Sequence, residues 1–145
     1  MLQSNSSLSF TAQATGPDLH LCARLNGHVF FDQDLTTDPV EIRHDFAEIN
    51  DADYTLEIVM SGKQSSHTVV DQDGVILQDR VIEIGKVVLD DLELGQVFFE
   101  QARYLHNFNG TQPETVDKFY GAIGCNGTVE LKFTAPVYMW LLENM

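Results

Sequence analysis

Alternation of apolar and polar residues with a period of two runs through most of the chain. Leu8-Ser9-Phe10-Thr11-Ala12 opens it, and Leu19, Leu21, Ala23 and Leu25 then alternate with His20, Cys22 and Arg24. Val40, Ile42, His44 and Phe46 fall on one face against Glu41, Arg43 and Asp45, and Tyr54, Leu56, Ile58 and Met60 repeat the pattern. Successive side chains of a strand point to opposite faces, so each stretch predicts a strand with one buried side. The densest β-branched stretch is Val81-Ile82-Glu83-Ile84, Gly85 and Lys86-Val87-Val88-Leu89, which predicts a hub buried inside a sheet. Val129, Leu131 and Phe133 form a further alternating face. Val137 to Leu142, apolar on both faces, reads as a last buried strand.

Turn chemistry separates these stretches. Asn26-Gly27 stands directly between two of them, and a type I′ turn needs positive φ at both central residues, which this pair tolerates best. Gly16-Pro17-Asp18, Asp38-Pro39, Ser61-Gly62-Lys63, Asn109-Gly110 and Asn126-Gly127 mark other boundaries. A short strand around His67 to Val70 leads into an acidic turn at Asp71. About seven or eight short strands, spaced roughly ten residues apart, predict an all-β, two-layer antiparallel β-sandwich of jelly-roll type. Leu56, Ile58, Ile82, Ile84, Val87, Leu89 and Leu131 are among its expected core residues. The domain is expected over residues 8–145, after a flexible arm over 1–7. Val97 to Tyr104 fits a strand or a short helix equally, and Pro113 to Tyr120 predicts a short helix ended by Gly121.

The 145 residues suffice for one sizeable core, and 43% of them are apolar, as in ordinary globular chains. The net charge of -14 is the unusual property. It argues against phosphate backbones and anionic bilayers as partners, because eight Lys and Arg dispersed along the chain form no basic patch. Cations, neutral sugars and other proteins remain. The first residues carry neither a basic nor an apolar signal region, so no secretory signal is expected. No apolar run reaches the roughly 20 residues a spanning helix needs. Cys22 and Cys125 read as two packed thiols or one bridge, and the sequons at Asn5, Asn109 and Asn126 as turn chemistry.

Candidate chemistry is sparse. Asp71 and Asp73 in the D-x-D-G string, with Asp79 after it, could offer carboxylate oxygens to calcium, which takes six to eight oxygen ligands. An EF-hand is excluded, since the position that needs a bidentate Glu is Ile82; Asp and Gly also simply make turns. Tyr138 and Trp140, two apart on the expected last strand, could stack on sugars or anchor a protein interface. The histidines His20, His28, His44, His67 and His106 show no metal-binding spacing, and no nucleophile elbow, phosphate loop or dinucleotide fingerprint occurs. Nothing beside Cys125 activates its thiol, and adjacent acids such as Asp90-Asp91 cannot flank one glycosidic bond from a strand. The chain is therefore read as not an enzyme.

Asn26-Gly27 after a strand, then Tyr54-Thr55-Leu56-Glu57-Ile58-Val59-Met60, then Asp79-Arg80-Val81-Ile82-Glu83-Ile84 followed by Val87-Val88-Leu89, resembles the motif order of calcium-dependent xylan-binding modules. The likeness covers roughly residues 19–94 and implies a β-sandwich, with calcium as cofactor and glycans as partners. The chain departs from it at Ser61-Gly62, where the resemblance calls for an Asn-Asp pair. The whole chain, with its close at Trp140-Leu141-Leu142-Glu143-Asn144-Met145, also resembles short proteins of tailed phages that attack marine bacteria. That second likeness implies a non-enzymatic structural protein of a phage particle, a capsid decoration or tail accessory protein. It would be displayed as a homo-oligomer on the virion surface, or lie in the infected cell's cytoplasm before assembly. The alternative reading is a calcium-dependent carbohydrate-binding, lectin-like module.

Overall fold

In the computed structural model, which describes residues 4–145, the chain is built almost wholly of strands. In order they are β1 (Ser4–Ala14), β2 (His20–Leu25), β3 (His28–Asp34), β4 (Val40–Glu48) and β5 (Asp53–Ser61). A 3-10 turn (Ser65–His67) leads to β6 (Val69–Val70), β7 (Ile76–Gln78), β8 (Ile82–Leu89) and β9 (Leu92–Glu93). Then come α1 (Gln96–Gln101), β10 (Arg103–His106), β11 (Thr115–Lys118), β12 (Ala122–Ile123), β13 (Gly127–Thr134) and α2 (Val137–Asn144). One sheet has the order β12-β8-β1-β4, with β9 folded back onto β8; a second runs β11-β10-β13-β5-β2-β3, and β6 with β7 forms a separate two-stranded ribbon. Every pairing is antiparallel. Two antiparallel sheets that each bury one face against the other make the expected two-layer sandwich.

The period-two pattern becomes the core directly. Leu8, Phe10 and Ala12 of β1, Leu21 and Ala23 of β2, Leu56, Ile58 and Met60 of β5, and Val129, Leu131 and Phe133 of β13 are all buried between the layers. The Asn26-Gly27 turn has φ of 50° and 80°, the positive pair that a two-residue hairpin needs. Asp90-Asp91, with φ of 51° and 61°, makes the same kind of turn between β8 and β9.

The hub strand β8 lies between β1 on one side and β12 with β9 on the other. Its inward residues change parity along its length, being Ile82 and Ile84, then Val87 and Leu89. A β-bulge makes the change: Thr11 pairs with Gly85 and Ser9 with Val88, so Phe10 faces two residues of β8. Lys86 there has φ of 50°, and the Thr11 hydroxyl donates to the Gly85 carbonyl at 3.0 Å.

Three expectations are corrected, and one left open is decided. The strand β1 starts at Ser4, so residues 4–7 are not a flexible arm; the buried Ser6 hydroxyl donates to Asp90 at 2.9 Å, and the Asp90 amide bonds to Ser7 O. The expectation for residues 1–3 lies outside the described residues. Thr115–Lys118, expected to be helical, is an edge strand, because β10 offers it a hydrogen-bonding edge from Arg103 to His106 that a single helical turn cannot match. Val97 to Tyr104 divides into α1 and β10 at Ala102, whose backbone is extended. The last apolar run is helix α2, not a strand. Pro136 starts it, and its buried residues, Val137 and Trp140, stand three apart as on a helix face.

Candidate functional site

The strands β5 and β13 lie side by side, and at the end where β5 stops and β13 begins the chain makes its densest polar network. Gly62, with φ of 88° and its α-carbon against the Asp18 carbonyl, turns the chain inward where a side chain would collide. Lys63 follows it into the protein, its side chain only 2% exposed. The ammonium donates to Asp79 Oδ1 at 2.5 Å and to the Gly124 carbonyl at 2.6 Å. Thr68 Oγ1 at 2.7 Å and the Arg80 amide at 2.8 Å donate to the same Asp79 oxygen. Burial pushes the Asp79 carboxyl up, but the bonds from Lys63, Thr68 and Arg80 outweigh it and hold it below the ordinary carboxylate value.

Asn126 clamps the same lysine from behind. Its carboxamide accepts from the Lys63 amide and donates to the Lys63 carbonyl, both at 2.9 Å, while its own amide donates to Asn109 Oδ1 at 2.8 Å. The Tyr104 hydroxyl donates to Cys125 O at 2.5 Å and accepts the Cys125 amide at 2.8 Å. Burial pushes the Tyr104 phenol up to about 12, so it stays protonated and holds the loop 124–126 in place.

On the solvent side of this loop lies an open groove of about 360 Å³, with Tyr104, His106, Asp117, Lys118, Tyr120 and Gly124 along it. Asp117 stands across the β10–β11 ladder from Tyr104. The buried His106 ring stacks on Tyr104 with centroids 4.4 Å apart and bonds Asp117 Oδ2 through Nε2 at 2.6 Å. Phe119 is fully buried against Phe98, with ring centroids 5.8 Å apart, while Tyr120 next to it is 82% exposed. Beyond it the Gly121 carbonyl accepts the Ile84 amide at 2.8 Å. An exposed aromatic ring beside a groove that the half-exposed Asp117 carboxylate lines suits a polyhydroxylated ligand, whose apolar face stacks while its hydroxyls bond.

The sites read from sequence fall elsewhere. Asp71 Oδ1 accepts the Asp73 and Val75 amides at 2.8 and 2.9 Å, closing the turn between β6 and β7 as a plain Asx-turn. Asp79 is held by Lys63. The three acids are thus not gathered around one point, and among the described residues no group of three His, Cys, Asp or Glu could hold a metal ion. The donor set does not fit calcium: a hard divalent ion needs several convergent oxygens, and the buried carboxylate already has an ammonium on it. Trp140 is buried against Phe133, ring centroids 6.1 Å apart, whereas Tyr138 is 53% exposed. A helix sets them on different faces, so they form no shared platform or anchor.

Cys22 and Cys125 are free and half-buried, and burial raises both thiols, which leaves no activated nucleophile at either. Of the histidines, His20 on β2 is held between Asp34, at 2.7 Å, and Asp32, whose hydrogen bond leads in raising its pKa. Sequence reading missed Lys63, Asn126, His106 with Asp117, and Tyr120. Only Tyr120 carried a signal, since Phe119-Tyr120-Gly121 places two aromatic residues before a turn residue, so that one of them faces outward.

The fold resembles the β-sandwich of a carbohydrate-binding module. It is similar, at a TM-score of 0.54, to the selenomethionine form of vCBM60, described as part of an evolutionary link by circular permutation between two families of calcium-dependent carbohydrate-binding modules. The identity is 12%, over 88% of this chain and 90% of that one. The structure of vCBM60 in complex with galactobiose is similar at a TM-score of 0.51 and 12% identity, over 86% and 96% of the two chains. No protein-family model matches the sequence, and no curated protein matches it.

Proposed function

We propose that this chain is a non-catalytic carbohydrate-binding module whose sugar face is the groove at Tyr120. The carrying observation is the Tyr120 ring, 82% exposed on a backbone held between buried Phe119 and the bonded Gly121. Large exposed aromatics are favourable for stacking on a pyranose, and the half-exposed Asp117 carboxylate in the same groove can accept from its hydroxyls. The structural similarity to vCBM60, whose complex with galactobiose has the same fold, supports this reading. With a net charge of -14 the ligand class is neutral glycans, since polyanionic ones would be repelled. A structural role in a virion has no observation to carry it, because the aromatic residues offered for an interface do not share a surface.

Calorimetric titration with neutral oligosaccharides, galactobiose among them, tests the assignment. Tyr120→Ala is expected to weaken binding by about tenfold or more, a loss of about 1.4 kcal/mol, with an unchanged melting temperature. Binding that survives Tyr120→Ala, or that is lost by Trp140→Phe, places the sugar elsewhere.

A further inference from the structure

We propose that Lys63 is a built-in cation: its ammonium occupies the buried oxygens of Asp79 and Gly124, the residues present do not fit calcium, and the protein is calcium-independent. The ammonium is enclosed, joins the Asp79 carboxylate to the Gly124 carbonyl, and so ties the segment 63–68, the start of β8 and the loop carrying Gly124 into one unit. Those acceptors are hard oxygens of the type that calcium takes, and a carboxylate plus a carbonyl is part of such a donor set. With a permanently attached ammonium on them, a divalent ion would have to displace a buried like charge.

The cation sits behind the groove. Gly124, whose carbonyl takes the ammonium, is itself a groove residue, so Lys63 supports the sugar face without touching it. It is a positioning residue, and this connection to the ligand rests on the glycan reading above. The cation itself rests on the hydrogen bonds alone.

Thermal unfolding of the whole protein in millimolar calcium and in chelator is expected to give superimposed curves, because an ion that binds only the native state must raise the midpoint. Lys63→Ala is expected to lower the midpoint by roughly 10 °C, and n-propylammonium, the part removed, to restore more of it than tetramethylammonium, which cannot donate a hydrogen bond. Calcium stabilisation of the unaltered protein, an unchanged midpoint in Lys63→Ala, or equal effects of the two ammonium ions would each overturn the proposal. If Lys63→Ala does not fold, Asp79→Asn supplies the decision. It keeps the volume and removes the counter-charge, and an unaltered midpoint in it overturns the proposal equally. Titration of a neutral oligosaccharide in chelator adds the functional arm. Retained binding is expected, and loss of binding with unchanged stability overturns calcium independence at the sugar face, while no binding under either condition counts against the glycan reading and leaves the stability arms to decide the cation.

Discussion

The strands β5 and β13 pair from Asp53 with Thr134 to Met60 with Gly127, and the two ends of that pair are closed by opposite means. At one end Tyr54 stacks on Phe133 at 5.2 Å, Phe46 packs against both, and Trp140 of α2 covers them. At the other end Lys63, Asp79, Gly124 and Asn126 join three separate segments by hydrogen bonds. Apolar closure is non-directional and tolerates small shifts, whereas a buried ammonium holds its partners at fixed distances and penalises any that is lost. The groove at Tyr120 lies over the second kind of closure, since Gly124 both lines it and accepts from Lys63.

Three substitutions sharpen that contrast, beyond those at Tyr120 and Lys63. The largest effect is expected of Trp140→Ala, which empties the apolar end and should cost about 3–5 kcal/mol, read as a lower urea midpoint by circular dichroism. Glycan binding at the far end should survive in the folded fraction, and its loss there would show that the two ends are coupled.

Asp79→Asn is expected to cost about 2 kcal/mol at neutral pH, with a definite pH signature. The folded-state pKa of Asp79 lies below its unfolded value, so the carboxylate's contribution is present above the ordinary carboxylate range and is lost as pH falls through the folded value. The stability gap between the parent protein and the variant should therefore close in acid. A gap independent of pH would mean that the charge at Asp79 contributes nothing.

The smallest effect is a gain. Glu48, near the apolar end, is buried, its Oε2 has no hydrogen-bond partner among the described residues, and burial followed by repulsion from Asp90 raises its pKa. Its folded pKa lies above the unfolded one, so the native state is favoured below the unfolded value and loses stability as pH rises through the folded value. Glu48→Gln should stabilise the protein by about 1 kcal/mol at neutral pH and by nothing in acid, as followed by denaturant titration at both.

The apolar half of this contrast was legible in the sequence and the polar half was not. Alternation along Tyr54 to Met60 and Val129 to Phe133 has a local period, and that period is a direct image of the buried face. Even the parity change at Lys86 left Ile82, Ile84, Val87 and Leu89 correctly inside, because the apolar letters themselves skip a step there. The pattern failed at Val137 to Leu142, where an apolar run had no polar letter to distinguish a strand from a helix. The network at Lys63 has no period at all. Its partners lie 16 and 61 residues away, and nothing near Lys63 in the chain says that its ammonium will be enclosed. At Asp79 the sequence shows a carboxylate that suggests a metal, and not the counter-ion 16 residues away that folding brings to it.

The mounting of Tyr120 has a consequence for how a ligand is met. Its neighbour Phe119 is sealed in the core and the next carbonyl is bonded to Ile84, so the backbone on both sides of the ring is immobilised when the protein folds. That freedom is surrendered once, in the folding reaction, and not again at each encounter with a sugar. Under the glycan reading, the main chain at this ring would add little to the entropic penalty of binding, and only the side-chain rotation of Tyr120 would be left to surrender.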